Sequence, residues 1–146
     1  MAVLFAAFSI TACHQDTNDI TPVTNEVRFM IGTESCMSTR AISDGTGATQ
    51  LSWAVFNDQG ELIHKKATKS DVTGLLTENG FTMSISLAKG QTYRVAFWAQ
   101  NPECEAYTIS DDMKVTIDYA GVNNDELRDA FTAVTEPFTV DGDNVV

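Results

Sequence analysis

The side chains that most often perform catalysis are sparse in this 146-residue chain, and they are not grouped. The two histidines, His14 and His64, are far apart in the sequence, and although His14 directly follows Cys13, no further histidine or cysteine lies close to either of them. Isolated histidines form neither a zinc site nor a catalytic triad. The sequence also contains no pair of carboxylates held at a working distance, no glycine-rich phosphate loop and no dinucleotide-binding motif. We therefore expect a protein that is not an enzyme and that needs no cofactor.

An oxygen-rich segment at residues 141–144, Asp-Gly-Asp-Asn, has the composition of a calcium-binding loop. The spacing and the terminal glutamate of an EF-hand are missing. We interpret the segment as a solvated turn and expect no metal site there.

Cys13 lies where the composition of the chain changes abruptly. Residues 1–12 are uncharged and mostly apolar, whereas residues 14–19 contain no large apolar side chain. An apolar run of this length is too short to span a bilayer as a helix, but it fits the hydrophobic region of a secretory signal. The segment 10–13, Ile-Thr-Ala-Cys, resembles the lipobox of bacterial lipoproteins, in which the signal is cut before the cysteine and the cysteine is lipidated. Cys13 is therefore the predicted lipidation site; a buried apolar element that ends at a cysteine explains the abrupt change less well.

The rest of the chain is the size of one domain and is strongly acidic. We assign residues 1–12 to a lipoprotein signal peptide, 13–24 to a polar tether and 25–146 to a single domain. The last residues read like a turn followed by the start of another strand, so we expect a further C-terminal domain. The net charge of −11 and the pI of about 4.3 disfavour binding to nucleic acid and to anionic lipid. The expected membrane link is the lipid on Cys13.

Two further cysteines, Cys36 and Cys104, are able to form a disulfide in an exported protein. Nothing in the sequence places their Cα atoms within bridging distance. A disulfide and two free thiols both stay open as predictions.

Alternation of apolar and polar residues dominates the chain and predicts half-buried β-strands. The predicted strands lie at residues 27–33, 51–55, 62–63, 81–87, 93–99, 113–119 and 138–140. Residues 57–60 predict a hairpin turn, and Lys89-Gly90 predicts a second hairpin over residues 81–99. Residues 123–131 predict one short helix that begins with a capping box. These elements predict an all-β fold, a two-sheet β-sandwich with one short helix, with a closed barrel as the alternative.

Trp98 falls on the face of its strand opposite to Tyr93, Val95 and Phe97. Such an aromatic side chain can serve as a platform for a sugar or peptide, but the interpretation that we favour is that a loop or a second domain covers it. A surface glycan-binding lipoprotein that uses Trp98 or Trp53 is therefore our alternative hypothesis of function.

The lipobox, the strand at 27–33, the segment 38–41 (Ser-Thr-Arg-Ala) and above all the strand 93–100 (Tyr-Arg-Val-Ala-Phe-Trp-Ala-Gln) resemble fimbrillin-type lipoproteins of the Bacteroidales. The resemblance is closest to the N-terminal domain of a fimbrillin-like group of unknown function. It implies a transthyretin-like, Greek-key β-sandwich, display on the outer membrane and non-enzymatic assembly into a fimbria or adhesin. In known fimbrillins, an arginine-specific protease removes the first strand, and the next subunit donates a strand to the exposed groove.

Arg40 matches the processing arginine in this resemblance, while an ordinary exposed loop arginine is an equally good interpretation. Asp16 and Asp19 resemble the acidic surface-export signal of Bacteroidetes lipoproteins. The resemblance therefore implies the outer membrane, other pilin subunits and a host protein or glycan as partners.

Overall fold

The computed structural model describes residues 24–32, 46–72, 75, 80–120 and 126–142. These residues form nine strands and one turn of 3-10 helix at Glu126–Arg128. The strands are β1 (Thr24–Ile31), β2 (Gln50–Asn57), β3 (Leu62–Lys69), β4 (Phe81–Ala88), β5 (Thr92–Gln100), β6 (Tyr107–Ile109), β7 (Val115–Ile117), β8 (Ala130–Val134) and β9 (Phe138–Thr139).

All strand pairings in the described residues are antiparallel, and they form three sheets. β1 and β4 form a two-stranded sheet, and a five-stranded sheet has the order β3-β2-β5-β8, with β9 also paired to β5. β6 and β7 form a separate hairpin. The prediction of an all-β, sandwich-like fold is confirmed.

The hydrophobic core lies between the β1–β4 sheet and the inner face of the five-stranded sheet. Apolar side chains alternate along β1, β4 and β5, so that every second residue of these strands points inward. The most deeply buried large side chains are Phe29, Leu51, Leu75, Leu87, Val27, Val55, Val72, Val95 and Val140.

The turn between β2 and β3 is the predicted hairpin. Asn57 fixes it, because its side-chain Oδ1 accepts hydrogen bonds from the backbone N–H groups of Gln59 at 3.0 Å and Glu61 at 2.8 Å. Gly60 has a φ of +82°, a conformation that glycine adopts without strain.

The predicted hairpin over residues 81–99 is wrong, because β4 and β5 belong to different sheets. β4 pairs with β1, whereas β5 pairs with β2, β8 and β9. The turn at Lys89-Gly90 instead joins the two layers, and the Gly90 N–H donates to the Val140 carbonyl at 2.7 Å. Leu87 and Val95 are both buried in the same core, so the two strands meet through side chains rather than through a hydrogen-bonded ladder.

The strand predicted at residues 113–119 is shorter than expected. β7 covers only Val115–Ile117, because a tight turn precedes it, in which the Met113 N–H donates to the Ser110 carbonyl and Met113 has a φ of +60°. Its partner, β6, was not predicted.

The helix predicted at residues 123–131 is also wrong over its described part. Only Glu126–Arg128 is helical, as one 3-10 turn, and β8 begins at Ala130; residues 123–125 lie outside the described residues. A helix of two to three turns is marginal by itself. The uncharged run of β8 instead pairs with five residues of β5, from Gln100 to Ala96.

Candidate functional site

The N-terminal strand β1 is paired on one side only among the described residues. Its eight residues align with β4, from Thr24 opposite Ala88 to Ile31 opposite Phe81. The described strands offer β1 no second neighbour. Detaching β1 would therefore break its hydrogen-bonded pairing with a single strand.

Alternate side chains of β1 enter the core of the sandwich. Val27 and Phe29 are 0% and 1% exposed, and Ile31 packs against the same cluster. Met30, on the other face, is 63% exposed. β1 therefore fills an apolar groove with one face and leaves the other face to solvent.

Phe29 is the aromatic side chain of β1, and it is buried in the core. Its ring lies edge-on to Phe97 of β5, with centroids 5.6 Å apart, and edge-on to Phe138 of β9, with centroids 5.8 Å apart. Edge-to-face pairs of this kind are favourable beyond the burial of their area. We call the space between Phe97 and Phe138 that holds this ring the Phe29 seat.

The end of β1 lies against the start of β4. Gly80 precedes β4 with a φ of +61°, and a Cβ added to it would lie 2.8 Å from the carbonyl oxygen of Ile31. Only a glycine allows this close approach of the two backbones. Gly80 therefore fixes where β1 stops in its groove.

A model for a family of unknown function, DUF6562, matches residues 15–146. The chain belongs to this family. No curated protein and no solved structure matches the chain. The DUF6562 match covers every strand described above.

The two predicted modification sites of this DUF6562 member, Cys13 and Arg40, lie outside the described residues. Arg40 belongs to the segment between Gly32, which follows β1, and Thr46. Cleavage there would separate β1 from the rest of the described chain.

Trp98 is half-buried, and a neighbouring part of the chain covers it. The ring of Tyr107, on β6, lies edge-on to the indole with centroids 5.3 Å apart. The indole Nε1–H donates to the side-chain oxygen of Gln100 at 2.7 Å. The prediction that the outer face of β5 is covered is confirmed, and the β6–β7 hairpin is the cover.

Trp53 is half-buried on the inner face of β2. It packs against the core cluster and lies opposite Phe97 and Ala67 in the two neighbouring strands. His64 is exposed on β3. Neither Trp53 nor Trp98 presents a freely exposed ring of the kind that binds sugars.

Two side chains of the β6–β7 hairpin have shifted pKa values. The Tyr107 hydroxyl donates to the Arg128 carbonyl at 2.6 Å, and burial raises the pKa of Tyr107 above its usual 10.0. At the tip of the hairpin, hydrogen bonds first from Lys114 and then from Ser110 lower the pKa of Asp112 to about 2.

The other chemical candidates remain dispersed. Cys104 is 6% exposed and a free thiol, while Cys36 lies outside the described residues. Of the proposed calcium-like loop, only Asp141 and Gly142 are described. Within the described ranges, no group of three His, Cys, Asp or Glu side chains is placed to hold a metal. A search of the same residues found no helix with the length and apolar character needed to span a membrane.

Sequence reasoning missed two residues of the site, Gly80 and, as a wall of the Phe29 seat, Phe138. The alternation at Phe138 and Val140 indicates a buried face, but it does not indicate which strand that face meets.

Proposed function

We propose that this chain is a non-enzymatic, lipid-anchored surface protein of the outer membrane, a fimbrillin-like pilus or adhesin subunit. In this proposal, the lipid on Cys13 anchors the precursor, and cleavage after Arg40 releases β1. The next subunit then donates a strand to the vacated groove. Its partners are other copies of the subunit and a host protein.

The observation that carries the proposal is the position of β1. β1 is hydrogen-bonded to β4 alone among the described strands, so its departure would break one pairing and leave β4 ready to accept another strand, whereas removal of β5 would break its pairings with β2, β8 and β9. Its departure would expose the edge of β4 and the Phe29 seat. An exposed strand edge above an apolar groove is a surface that binds an incoming strand through main-chain hydrogen bonds and alternate side chains.

The chemistry of the groove supports a strand as its occupant. Val27 and Phe29 are two residues apart, on one face of β1, and both are almost completely buried. Any replacement strand must therefore carry apolar side chains at two positions with the same spacing. This requirement would give the donated strand a fixed register.

The test is to cleave the purified full chain with an arginine-specific protease and to compare wild type with Arg40→Ala. The arginines at 28, 94 and 128 lie in β1, β5 and the 3-10 turn, where regular structure slows cleavage. We expect the segment before residue 41 to dissociate from the wild-type protein on size-exclusion chromatography at moderate denaturant concentration. The Arg40→Ala chain should remain intact.

A synthetic peptide with the sequence of residues 24–32 then probes the groove. We expect it to bind the cleaved protein, and a control peptide with aspartate in place of Phe29 to fail. If the cleaved pieces stay together and exchange with no added peptide, the strand-exchange proposal fails.

Anchoring is tested separately. Cys13→Ala should abolish metabolic acyl labelling in a bacterial host that processes lipoproteins; labelling that persists contradicts lipidation at Cys13. We do not propose glycan binding as a second function, because Trp53 and Trp98 are half-buried and engaged by the same chain.

A further inference from the structure

The strand β8 lies at one edge of the five-stranded sheet that the described residues form. Among the described residues it pairs with β5 alone. Residues 130–135 carry no charge, and two apolar side chains on β8 are exposed, Phe131 at 38% and Val134 at 63%. An uncharged and exposed edge strand readily pairs with another chain.

The opposite edge of the same sheet, β3, has features that discourage pairing with another chain. Three of the nine basic residues of the chain lie in it, Lys65, Lys66 and Lys69. Its register with β2 is interrupted by bulges, and the Lys66 N–H donates to the Asp111 carbonyl at 2.8 Å. Lysines, bulges and a covering loop all discourage edge-to-edge pairing. β8 has none of these features among the described residues.

We propose that β8 forms a two-fold dimer interface, in which the β8 strands of two copies pair antiparallel and join their sheets. In the pairing centred on Thr132, Ala130 lies opposite the partner's Val134, and Phe131 lies opposite the partner's Ala133. Just beyond the paired strands, this register brings Arg128, in the 3-10 turn, to the same end of the interface as the partner's Glu136, and it does so twice because the interface is two-fold. The two copies of this surface are therefore complementary in charge at both ends of the interface.

Charge selects this register over its neighbours. Facing side chains of an antiparallel pair lie on the same face, so a two-fold pairing can move its centre only by whole residues. Centring it on Ala133 sets Glu136 level with the partner's Ala130 and Arg128 level with the partner's Phe138. Centring it on Phe131 sets Arg128 level with the partner's Val134, so neither of these registers pairs Arg128 with Glu136. Opposite charges directly across an antiparallel pair are favourable, and like charges are unfavourable.

The guanidinium of Arg128 is weakly held within one copy. Its Nη2 donates to the Asp118 carbonyl at 3.4 Å, and its buried Nε has no hydrogen-bond partner among the described residues. Arg128 lies just before β8, in the 3-10 turn, and its long side chain allows it to reach the partner's Glu136. This dimer is independent of the proposed exchange of β1, because β1 belongs to the other sheet.

The test compares the oligomeric state of charge variants of the full chain by sedimentation velocity at low salt. Two five-residue strands make a small interface, so we expect a weak dimer, and the concentration should be raised to about 1 mM. Glu136→Arg and Arg128→Glu should each be monomeric, because each sets like charges across the two-fold. An equimolar mixture of the two variants should dimerise again, because both cross-pairs then join opposite charges.

The matched control is a pair of variants with the same net charges, Glu103→Arg and Lys89→Glu, at exposed positions away from β8. Each of these should dimerise alone as wild type does. The proposal is overturned if wild type stays monomeric at about 1 mM. It is equally overturned if Glu136→Arg associates as wild type does, which would place the contact elsewhere, for example in the apolar residues 1–12. Failure of the mixture to restore the dimer also overturns it.

Discussion

The two faces of the five-stranded sheet are covered in different ways. The inner face meets the β1–β4 sheet through apolar side chains, and Phe29, Phe97 and Phe138 meet there edge-to-face. The outer face meets the small β6–β7 hairpin through a single ring pair, Trp98 with Tyr107, and through hydrogen bonds. The inner face thus gains its stability from burial, and the outer face from a few specific contacts.

Small and polar side chains explain the thin outer cover. Ser52 and Ala54 on β2 are buried although neither is large, and the Ser52 hydroxyl shares a 2.9 Å hydrogen bond with Thr68. Apart from Trp98, these side chains are small, so we expect the burial of the outer hairpin to contribute less free energy than the burial of the inner core. Changes at the inner face should therefore unfold the domain, whereas changes at the outer face should loosen the hairpin only.

The largest effect is expected from Phe97→Ala. Phe97 is 5% exposed and forms one wall of the Phe29 seat, so its truncation leaves a cavity in the inner layer. We expect a loss of about 3–5 kcal/mol in the free energy of unfolding, measured by urea denaturation. Phe131→Ala is the matched control, because it removes the same atoms at a site that is 38% exposed. A loss for Phe97→Ala no larger than that of the control would contradict the assignment of the inner face.

The inner face was largely predictable from the sequence, but the pairing of its strands was not. Alternation in β1, β4 and β5 indicates which residues point inward, and Val27, Phe29, Leu87, Val95 and Phe97 are indeed buried. The same alternation fits a hairpin and a connection between two layers equally well. The turn at Lys89-Gly90 is hydrogen-bonded to Val140, the residue after β9, and Val140 lies far away in the sequence.

The outer face was less predictable, because its elements are short. β6 and β7 have three residues each, which gives too few alternations to identify a strand. The capping signal at residues 123–126 also favoured a helix, while pairing with β5 made residues 130–134 a strand. Here, pairing between residues that are distant in sequence outweighed the local helix propensity.

A smaller effect, again at the inner face, is expected from Gly80→Ala. The new Cβ would lie 2.8 Å from the Ile31 carbonyl oxygen, and Gly80 also has a φ of +61°. We expect a loss of about 2–3 kcal/mol, from backbone strain and from displacement of the end of β1.

Gly60→Ala separates these two causes. Gly60 has a φ of +82° but nothing within 4 Å of an added Cβ, so this variant reports the strain alone. We expect it to cost about 1 kcal/mol. Equal losses at Gly60 and Gly80 would show that the approach of β4 to β1 is not tight.

At the outer face, Tyr107→Phe should cost about 1 kcal/mol, because it removes the hydrogen bond to the Arg128 carbonyl and keeps the ring on Trp98. The pKa of Tyr107 is raised in the folded state by burial, so its contribution is complete below its unfolded pKa of 10.0. It is lost as the pH rises through the higher folded value. The stability difference between wild type and Tyr107→Phe should therefore shrink above about pH 10. A difference that stays constant up to pH 11 would exclude this role of the hydroxyl.

The smallest effect is expected at the tip of the outer hairpin, and it tests whether the contacts at this tip are formed in solution. Asp112 accepts hydrogen bonds from Lys114 and Ser110, and its pKa is lowered to about 2. A lowered pKa favours the folded state above the unfolded value of 3.8, and this contribution disappears as the pH falls toward 2. The pair is exposed, with 83% of the Lys114 side chain accessible, so solvent screens it strongly.

The contribution of this pair to the free energy of unfolding should therefore be too small to detect. The measurement is instead an NMR titration of the Asp112 carboxyl carbon. Lys114→Ala should raise the midpoint more than Ser110→Ala does, because the hydrogen bond from Lys114 is the larger cause of the shift. If the midpoint of wild type lies near 3.8, the tip has no fixed geometry in solution, and the outer face is held by Tyr107 and the strand contacts of the hairpin alone.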